Sequence, residues 1–507
     1  MPVRSVPYIV CLIIAMLSAQ AGGRSVQAQV QDLIRGHDLG NAVTAIYIFD
    51  LNDKTELASI NADLQMLPAS NMKLITSAAA LEIFGTDFKF ATQLHLIGAA
   101  DWTSRSATDK SNPSPAGTAL VVRGDGDPAF GDPKVLKEHG LAPEQLLQEW
   151  VSVVKKAGVA DVSQLLVDDR VFDRQFVHPS WPQDQLTKHY CAQVAGINFH
   201  NNVVHIYPRP RKLGNTPRIL LRPISPFVQT SNFAVTAAKD SFWIDRKMGT
   251  NLFKFGGGVT SRRNEPLQVT VHDPPIYFAH LLADRLGKAG IPVAETRRVR
   301  NGEILPDGRV LYEAQTTLHE VLTRCNRQSQ NLYAEALLKR MGRAYTGTAG
   351  TWSNGASAVR HFLGKRLGIT AAVISIADGS GLSRDNRVTP RLIVRLLQNM
   401  YADRKLGYDY MQTLAVGGET GTLRRRFLGP LSGKVYAKSG YISGVSALSG
   451  YLVRPGVKDG SSYHVIAFSL VFNEINKQVP ISTIKAVQER IVALVDQAYQ
   501  PIEMAAP

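Results

Sequence analysis

Pro68-Ala69-Ser70-Asn71-Met72-Lys73-Leu74-Ile75-Thr76-Ser77-Ala78-Ala79-Ala80-Leu81-Glu82-Ile83-Phe84-Gly85 is the stretch on which the reading of this chain turns. Pro68 is unfavourable inside a helix. Beyond it Leu74, Ile75, Ala78, Leu81 and Phe84 fall at helical spacing until Gly85 ends the pattern. Ser70 therefore opens a helix, and Lys73 at i+3 shares its face. A serine hydroxyl is a poor nucleophile until a neighbouring base takes its proton. Lysine can be that base when burial, or a nearby cation such as Lys438, lowers its pKa. The motif leaves open which group takes the proton; Lys73 is preferred. The start of the helix also points backbone N–H groups at a developing oxyanion.

Two further motifs follow in order, Ser329-Gln330-Asn331 and Lys438-Ser439-Gly440. Together the three make a serine acyl-transfer set of the penicillin-recognising kind. Each is weak alone. Ser152/Lys155 and Ser482/Lys485 also match Ser-x-x-Lys, but they sit within predicted helices, and Ser59-x-Asn61 precedes Ser70. Only one set has the right order. Ser329 is placed to relay a proton toward the leaving amine, and Asn331 to hold Lys73 and a substrate carbonyl. The plain alternative for Ser329 is an N-cap for the helix that follows. Lys438-Ser439-Gly440 continues the predicted strand Lys434–Ala437. An open strand edge can take an extended peptide by backbone pairing. Lys438 and the Ser439 hydroxyl would receive a terminal carboxylate, Gly440 would leave room for substrate, and the Tyr441 N–H would be the second oxyanion donor.

The first two motifs lie 256 positions apart, from Lys73 to Ser329. That is too long for a loop, so whole domains are expected inside the catalytic one. The intervening residues read mostly as strands, with helices at Pro143–Ala157 and after Asp273-Pro274-Pro275. From Asp273 helices dominate, until two strands near Lys434–Val453 and Ser462–Phe472 precede a last helix.

Pro-Ala-Ser70-Asn-Met-Lys-Leu, Ser329-Gln-Asn-Leu-Tyr-Ala-Glu335, Asp378-Gly-Ser-Gly-Leu-Ser383, Gly421-Thr-Leu423 and Lys438-Ser-Gly together resemble the D-alanyl-D-alanine carboxypeptidase/endopeptidase family, the three-domain low-molecular-mass class C penicillin-binding proteins. The resemblance implies an α/β, multidomain chain. Its penicillin-binding, β-lactamase-like transpeptidase domain, an antiparallel sheet flanked by helices, would be interrupted by two nested, mainly β domains. The expected division is a signal peptide at 1–28 and catalytic residues at 29–88 and 273–507. The first inserted domain takes 89–180 and 246–272, and a nested one 181–245. The implied function is a serine D,D-peptidase acting on peptidoglycan stem peptides, as carboxypeptidase, endopeptidase or both, with β-lactams as covalent inhibitors and no cofactor or metal. Ser70, Lys73, Ser329, Asn331 and Lys438 are the catalytic candidates; Ser439, Gly440 and Tyr441 bind substrate. Asp168, in Val167-Asp168-Asp169, resembles the place where the family recognises the amino end of a diamino-acid side chain. Its alternative is a turn aspartate at a strand end. The chain departs from the family pattern at Ser439, Gln330 and Tyr441.

Composition sets the context. Arg4 followed by an apolar run from Val6 to Ala21 reads as a secretory signal with small residues at Ala21 and Ala28. A periplasmic location follows as an expectation. The run is shorter than the ~20 residues a membrane span needs. Net charge is +15 and hydrophobic content 44%; packed cores are expected, and the charge suits peripheral association with an anionic wall or membrane. Nucleic acid is not expected as a partner of an exported chain. Cys191 and Cys325 can pair in an oxidising compartment, but two buried free thiols are the expectation. No His-x-x-His, His-Glu-x-x-His or Gly-x-Ser-x-Gly occurs, which removes support for a metallohydrolase or a Ser-His-Asp hydrolase. The remaining rivals are a serine β-lactamase and a catalytically silent wall-binding protein.

Overall fold

The computed structural model describes residues 24–98, 101–102, 117–370, 374–455 and 463–499. The apolar run of the expected signal lies outside them. A six-stranded antiparallel sheet forms the catalytic domain, in the order Ala415–Val416, Val435–Ile442, Val445–Pro455, Tyr463–Asn473, Val43–Asp50, Thr55–Ile60. Successive side chains on a strand take opposite faces. Accordingly Ile46 and Ile48 pack with Val30 and the C-terminal helix Ile481–Ala498. Tyr47 packs instead with the helices Met72–Phe84, Leu318–Arg327, Asn331–Thr346, Trp352–Leu367 and Pro390–Ala402. The sheet is thus covered on both faces, which is why Tyr463–Asn473 is apolar almost without interruption.

The first described helix, Val26–Arg35, overlaps the end of the expected signal at 1–28. Ser25 Oγ accepts from the Ala28 N–H (3.2 Å), and the Gln27 side-chain oxygen accepts from the Ser59 N–H (2.7 Å). Residues 25–28 therefore cap and dock this helix. Cleavage after Ala28 would remove its first turn; cleavage after Ala21 would leave it whole.

A second sheet has the order Val293–Arg298, Val162–Asp168, Ala119–Gly124, Lys89–Ile97, Arg309–Thr317. Its first three strands are parallel and the rest antiparallel. The helices Pro143–Lys156 and Pro274–Lys288 fill its core around Trp150 and Phe278. This moves the expected boundary at Asp273. The Asp273 carboxylate does cap a helix, accepting from the Ile276 N–H at 3.2 Å. A cap marks where a helix starts, however, not which core its apolar face joins, and Phe278, Leu281, Leu282 and Leu286 join the inserted one. The chain re-enters the catalytic domain at Thr317, which caps Leu318–Arg327 reciprocally with Glu320.

Strands alone build the inner unit: Val203–Arg209 lies between Leu267–Thr270 and Arg218–Arg222, and Leu252–Gly256 between Trp243–Arg246 and Gln229–Asn232. The expected division at 245/246 is also displaced, because it would cut the paired strands Trp243–Arg246 and Leu252–Gly256. Residues 171–194, divided between the two inserted domains in the sequence reading, instead pack on the catalytic helices through Phe172, Trp181, Cys191 and Val194.

Arg324 of the catalytic domain is clamped to Asp132 of the insertion, Nε to Oδ2 at 2.8 Å; both are buried, and the Tyr333 hydroxyl donates to the same oxygen. Removing one partner strands a buried charge. Arg324→Ala is expected to lower unfolding stability by about 3–5 kcal/mol, read as a shifted denaturant midpoint.

Candidate active site

Ser70 sits in the single 3-10 turn Ala69–Asn71, which runs straight into the helix Met72–Phe84. The turn places Ala69 at φ 45°, an uncommon left-handed conformation for alanine. Two glycines hold it from either side. A Cβ on Gly381 would stand 1.7 Å from the Ala69 carbonyl oxygen, and one on Gly440 would stand 3.0 Å from Pro68 O and Ser70 N. Gly440 therefore lets its strand close on the nucleophile turn, a second reason for a glycine there beside its expected role of making room for substrate.

Lys73, fully buried, donates to Ser70 Oγ (3.0 Å), Asn331 Oδ1 (2.7 Å) and the Ser380 carbonyl (2.9 Å). Burial brings its pKa down to about 8, against the opposing pull of Cys325, Glu335 and Asp378. Of the two expected causes, burial is the main one. Ser329 takes up φ 58° between the helices Leu318–Arg327 and Asn331–Thr346. Gln330 occupies the N-cap position there without a side-chain bond. Ser329 Oγ instead accepts from Lys438 Nζ at 2.8 Å, so the capping alternative does not describe it. Asn331 keeps its expected bond to Lys73, while its Nδ2 donates to the Tyr190 carbonyl at 2.9 Å.

Lys438 is buried and held also by the Ser439 carbonyl (2.7 Å). Burial, then the Lys73 charge, lowers its pKa well below that of a free lysine. The Ser439 hydroxyl donates to Thr422 Oγ1 at 2.8 Å. Among the described residues Ala415–Val416 pairs only with Ala437 and Tyr436, so the outer edge of Val435–Ile442 is open from Lys438 onward. The Tyr441 ring is exposed and lines a cleft of about 850 Å³ with Leu64, Met66, Arg384 and Arg387.

A layer behind these groups carries no motif of its own. The buried Glu335 carboxylate accepts from the Gly379 and Ser380 N–H groups (3.0 and 2.8 Å) and from Trp352 Nε1 (2.8 Å). It thereby fixes the carbonyl that Lys73 uses. Burial and Asp378 raise its pKa to about 7. Asp378 in turn accepts from the Gly381 and Ser383 N–H groups, Asn386 Nδ2 and Trp181 Nε1. The glycine-rich loop is thus knit around a carboxylate and is no phosphate cradle. Glu335 and Asp378 lay inside segments already quoted from the sequence, but nothing local marks a carboxylate whose partners are distant. Thr422 likewise lay inside a quoted segment, Gly421-Thr-Leu423, whereas Tyr190 gave no signal.

Asp168 is not joined to this set. It ends the strand Val162–Asp168, and both carboxylate oxygens accept from the Arg170 guanidinium at 2.7 Å. Burial would raise its pKa, yet the Arg170 bonds and charge hold it below the usual carboxylate value. The turn-aspartate reading describes its surroundings. Cys191 and Cys325 are free and buried, and burial pushes their thiols up to about 12 and about 11.

The D-Ala-D-Ala carboxypeptidase 3 (S13) family matches residues 26–494. A D-alanyl-D-alanine carboxypeptidase of Actinomadura sp. (strain R39) is 31% identical over 504 residues, covering 94% of this chain and 86% of the relative. The crystal structure of penicillin binding protein 4 from Haemophilus influenzae superposes with TM-score 0.74 at 23% identity, covering 93% of this chain and 99% of that one. The same protein complexed with a β-lactam superposes with TM-score 0.69 at 22% identity, over 93% and 100%. At these identities the structures establish the shared fold.

Proposed function

Because the chain belongs to the D-Ala-D-Ala carboxypeptidase 3 (S13) family, it is a penicillin-binding serine D,D-peptidase, and we propose that Ser70 is its nucleophile and Lys73 its base. The observation that carries this assignment is the 3.0 Å contact between Lys73 Nζ and Ser70 Oγ, with the lysine pKa brought to about 8. Neutral Lys73 takes the Ser70 proton, and Ser70 Oγ attacks the carbonyl of a D-alanine. The N–H groups of Ser70 and Tyr441 hold the oxyanion. Ser329 hands its hydroxyl proton to the departing amine and regains one from Lys438 Nζ. Water then adds to the acyl carbon and gives a proton through Ser329 back to Lys438, while Lys73 returns its proton to Ser70 Oγ as the acyl group leaves. When the departing amine is D-alanine the enzyme acts as a carboxypeptidase. When it belongs to the diamino acid of a neighbouring stem it acts as an endopeptidase that opens cross-links. β-Lactams acylate the same serine. The apolar N-terminal run supports export to the periplasm, and the basic surface supports peripheral association there.

Lys438 and the Ser439–Thr422 hydroxyl pair receive the substrate's terminal carboxylate at the open strand edge. A hydrogen bond to a charged group contributes about 1.5–3 kcal/mol. Ser439→Ala is therefore expected to raise KM for substrates with a free carboxylate by about ten-fold or more, with a smaller effect on kcat. Steady-state kinetics on a D-Ala-D-Ala peptide measure it.

The test of the whole reading is mass analysis of muropeptides incubated with the purified protein. Loss of terminal D-alanine and splitting of cross-linked dimers are scored separately. Neither change, with penicillin bound and rapidly turned over, would make the protein a β-lactamase. Neither change and no penicillin bound would make it a silent binder.

A further inference from the structure

The inner strand unit carries a disproportionate share of the molecule's charge. Residues 203–271 hold eleven Lys and Arg against Asp240, Asp245 and Glu265, a net +8 of the chain's +15. The same unit exposes large apolar side chains at one end. Trp243 pairs with Gly256 across adjacent strands, and its indole lies where a Gly256 Cβ would stand, 2.1 Å from the ring. On the other side of Gly256 the parallel register continues past Asn232↔Phe255, with the Phe233 N–H donating to the Phe255 carbonyl and the Val235 N–H to the Gly257 carbonyl. Trp243, Gly256 and Phe233 thus form one row across three strands. The loop after Arg209 closes onto the same end: the Arg211 N–H reaches Thr236 Oγ1, and the Gly214 N–H the Thr236 carbonyl. That loop carries Leu213. Leu213 is 75% exposed, Phe233 68%, Trp243 48% and Val235 45%. Arg211 and Lys212 directly precede Leu213 on its loop, the Lys239 carbonyl lies 2.5 Å from where a Gly258 Cβ would stand, and Arg262 follows the strand Gly258–Val259; all four are exposed. Asp240, the acid nearest in sequence to Lys239, is already paired with Arg263 at 2.5 Å.

We propose that this end of the inner unit docks on an anionic phospholipid surface, with Leu213, Phe233, Val235 and Trp243 entering the headgroup–acyl boundary and the surrounding cations meeting lipid phosphates. Apolar tips within a basic ring gain from both interactions at once, and aromatic rings favour the interfacial depth. An anionic wall polymer would satisfy the cations but give Leu213 and Val235 nothing to bury. The proposal names a surface for the peripheral association given above and is independent of the catalytic assignment.

The test sediments the full-length protein with vesicles of phosphatidylglycerol and phosphatidylethanolamine, with pure phosphatidylcholine vesicles, and with purified wall sacculi. At low salt the anionic vesicles are expected to bind at least ten-fold more tightly than the neutral ones. The variant Leu213→Ser/Phe233→Ser/Trp243→Ser is expected to lose at least ten-fold of that affinity, and Arg211→Glu/Lys212→Glu a similar amount. Penicillin labelling should stay at the wild-type level in both, which reports an intact fold and catalytic site. If the triple variant does not label, Leu213→Ser alone decides, with an expected loss of about five-fold. Equal binding to neutral vesicles, undiminished binding by these variants, or sedimentation with sacculi and not with vesicles would overturn the proposal.

Discussion

Ser70→Ala is expected to reduce D,D-peptidase turnover by about 10⁴-fold or more and to abolish covalent penicillin labelling. Among the described residues no other motif hydroxyl is placed to substitute: Ser329 is engaged by Lys438 and Ser439 by Thr422, and neither is bonded to Lys73. Losing the nucleophile of a concerted set removes nearly all the acceleration the set supplies. The fold should survive, because among the described residues Ser70 Oγ is hydrogen-bonded to Lys73 alone, and Lys73 keeps Asn331 and the Ser380 carbonyl. A change in unfolding stability of no more than about 1–2 kcal/mol is expected for one such bond. Turnover measured beside a denaturant curve separates a lost nucleophile from a lost fold.

Lys73→Arg is the second large effect. A guanidinium keeps the positive charge but cannot release its proton near neutral pH. If Lys73 served only as a cation, this exchange would be mild. As the base, it should cost about 10²–10⁴-fold in the acylation rate. The pH profile gives the sign. Below the lysine pKa of about 8 the protonated amine cannot accept from Ser70. The wild-type rate is therefore expected to rise with pH, about ten-fold per unit at first, and to level off above 8. Lys73→Arg should remove that rise. Glu335, with a pKa raised to about 7, is another titrating group close by, beside Lys438 with its lowered pKa. Glu335→Gln keeps its carbonyl acceptor toward the Gly379 and Ser380 N–H groups and should keep the rise, with its midpoint moved below 8 because the Glu335 charge that raises the Lys73 pKa is gone. A rise that persists in Lys73→Arg and disappears in Glu335→Gln would transfer the base role to Glu335.

The catalytic centre was legible because its chemistry is local: Ser70 and Lys73 share one turn of helix, and each remaining motif is a run of three residues. Their order, and the length of chain between Lys73 and Ser329, announced an interrupted domain. The division of that insertion was not legible, for a physical reason. The helix beginning at Asp273 and the strands Val293–Arg298 and Arg309–Thr317 have patterns that show how wide an apolar face they carry. The pattern does not say whether Phe278 meets Trp150 or the Ser70 helix. Asp168 stayed between its two readings for a related reason. An aspartate at a strand end looks the same whether it faces a ligand or is closed by Arg170 two residues on. Glu335 and Asp378 stayed invisible because what sets them apart is burial and the backbone N–H groups of a distant loop. Gly440 was legible as a close-approach position, but its closeness to the nucleophile turn depends on a fold contact that the motif does not show.

The most direct measurement is peptide mapping by mass spectrometry after brief exposure of the full-length protein to benzylpenicillin. The site described above predicts one adduct of intact penicilloyl mass, located at Ser70 in the peptide that contains Lys73. An adduct on Ser329, Ser439 or any other residue, or no adduct while muropeptides are still cleaved, would contradict it.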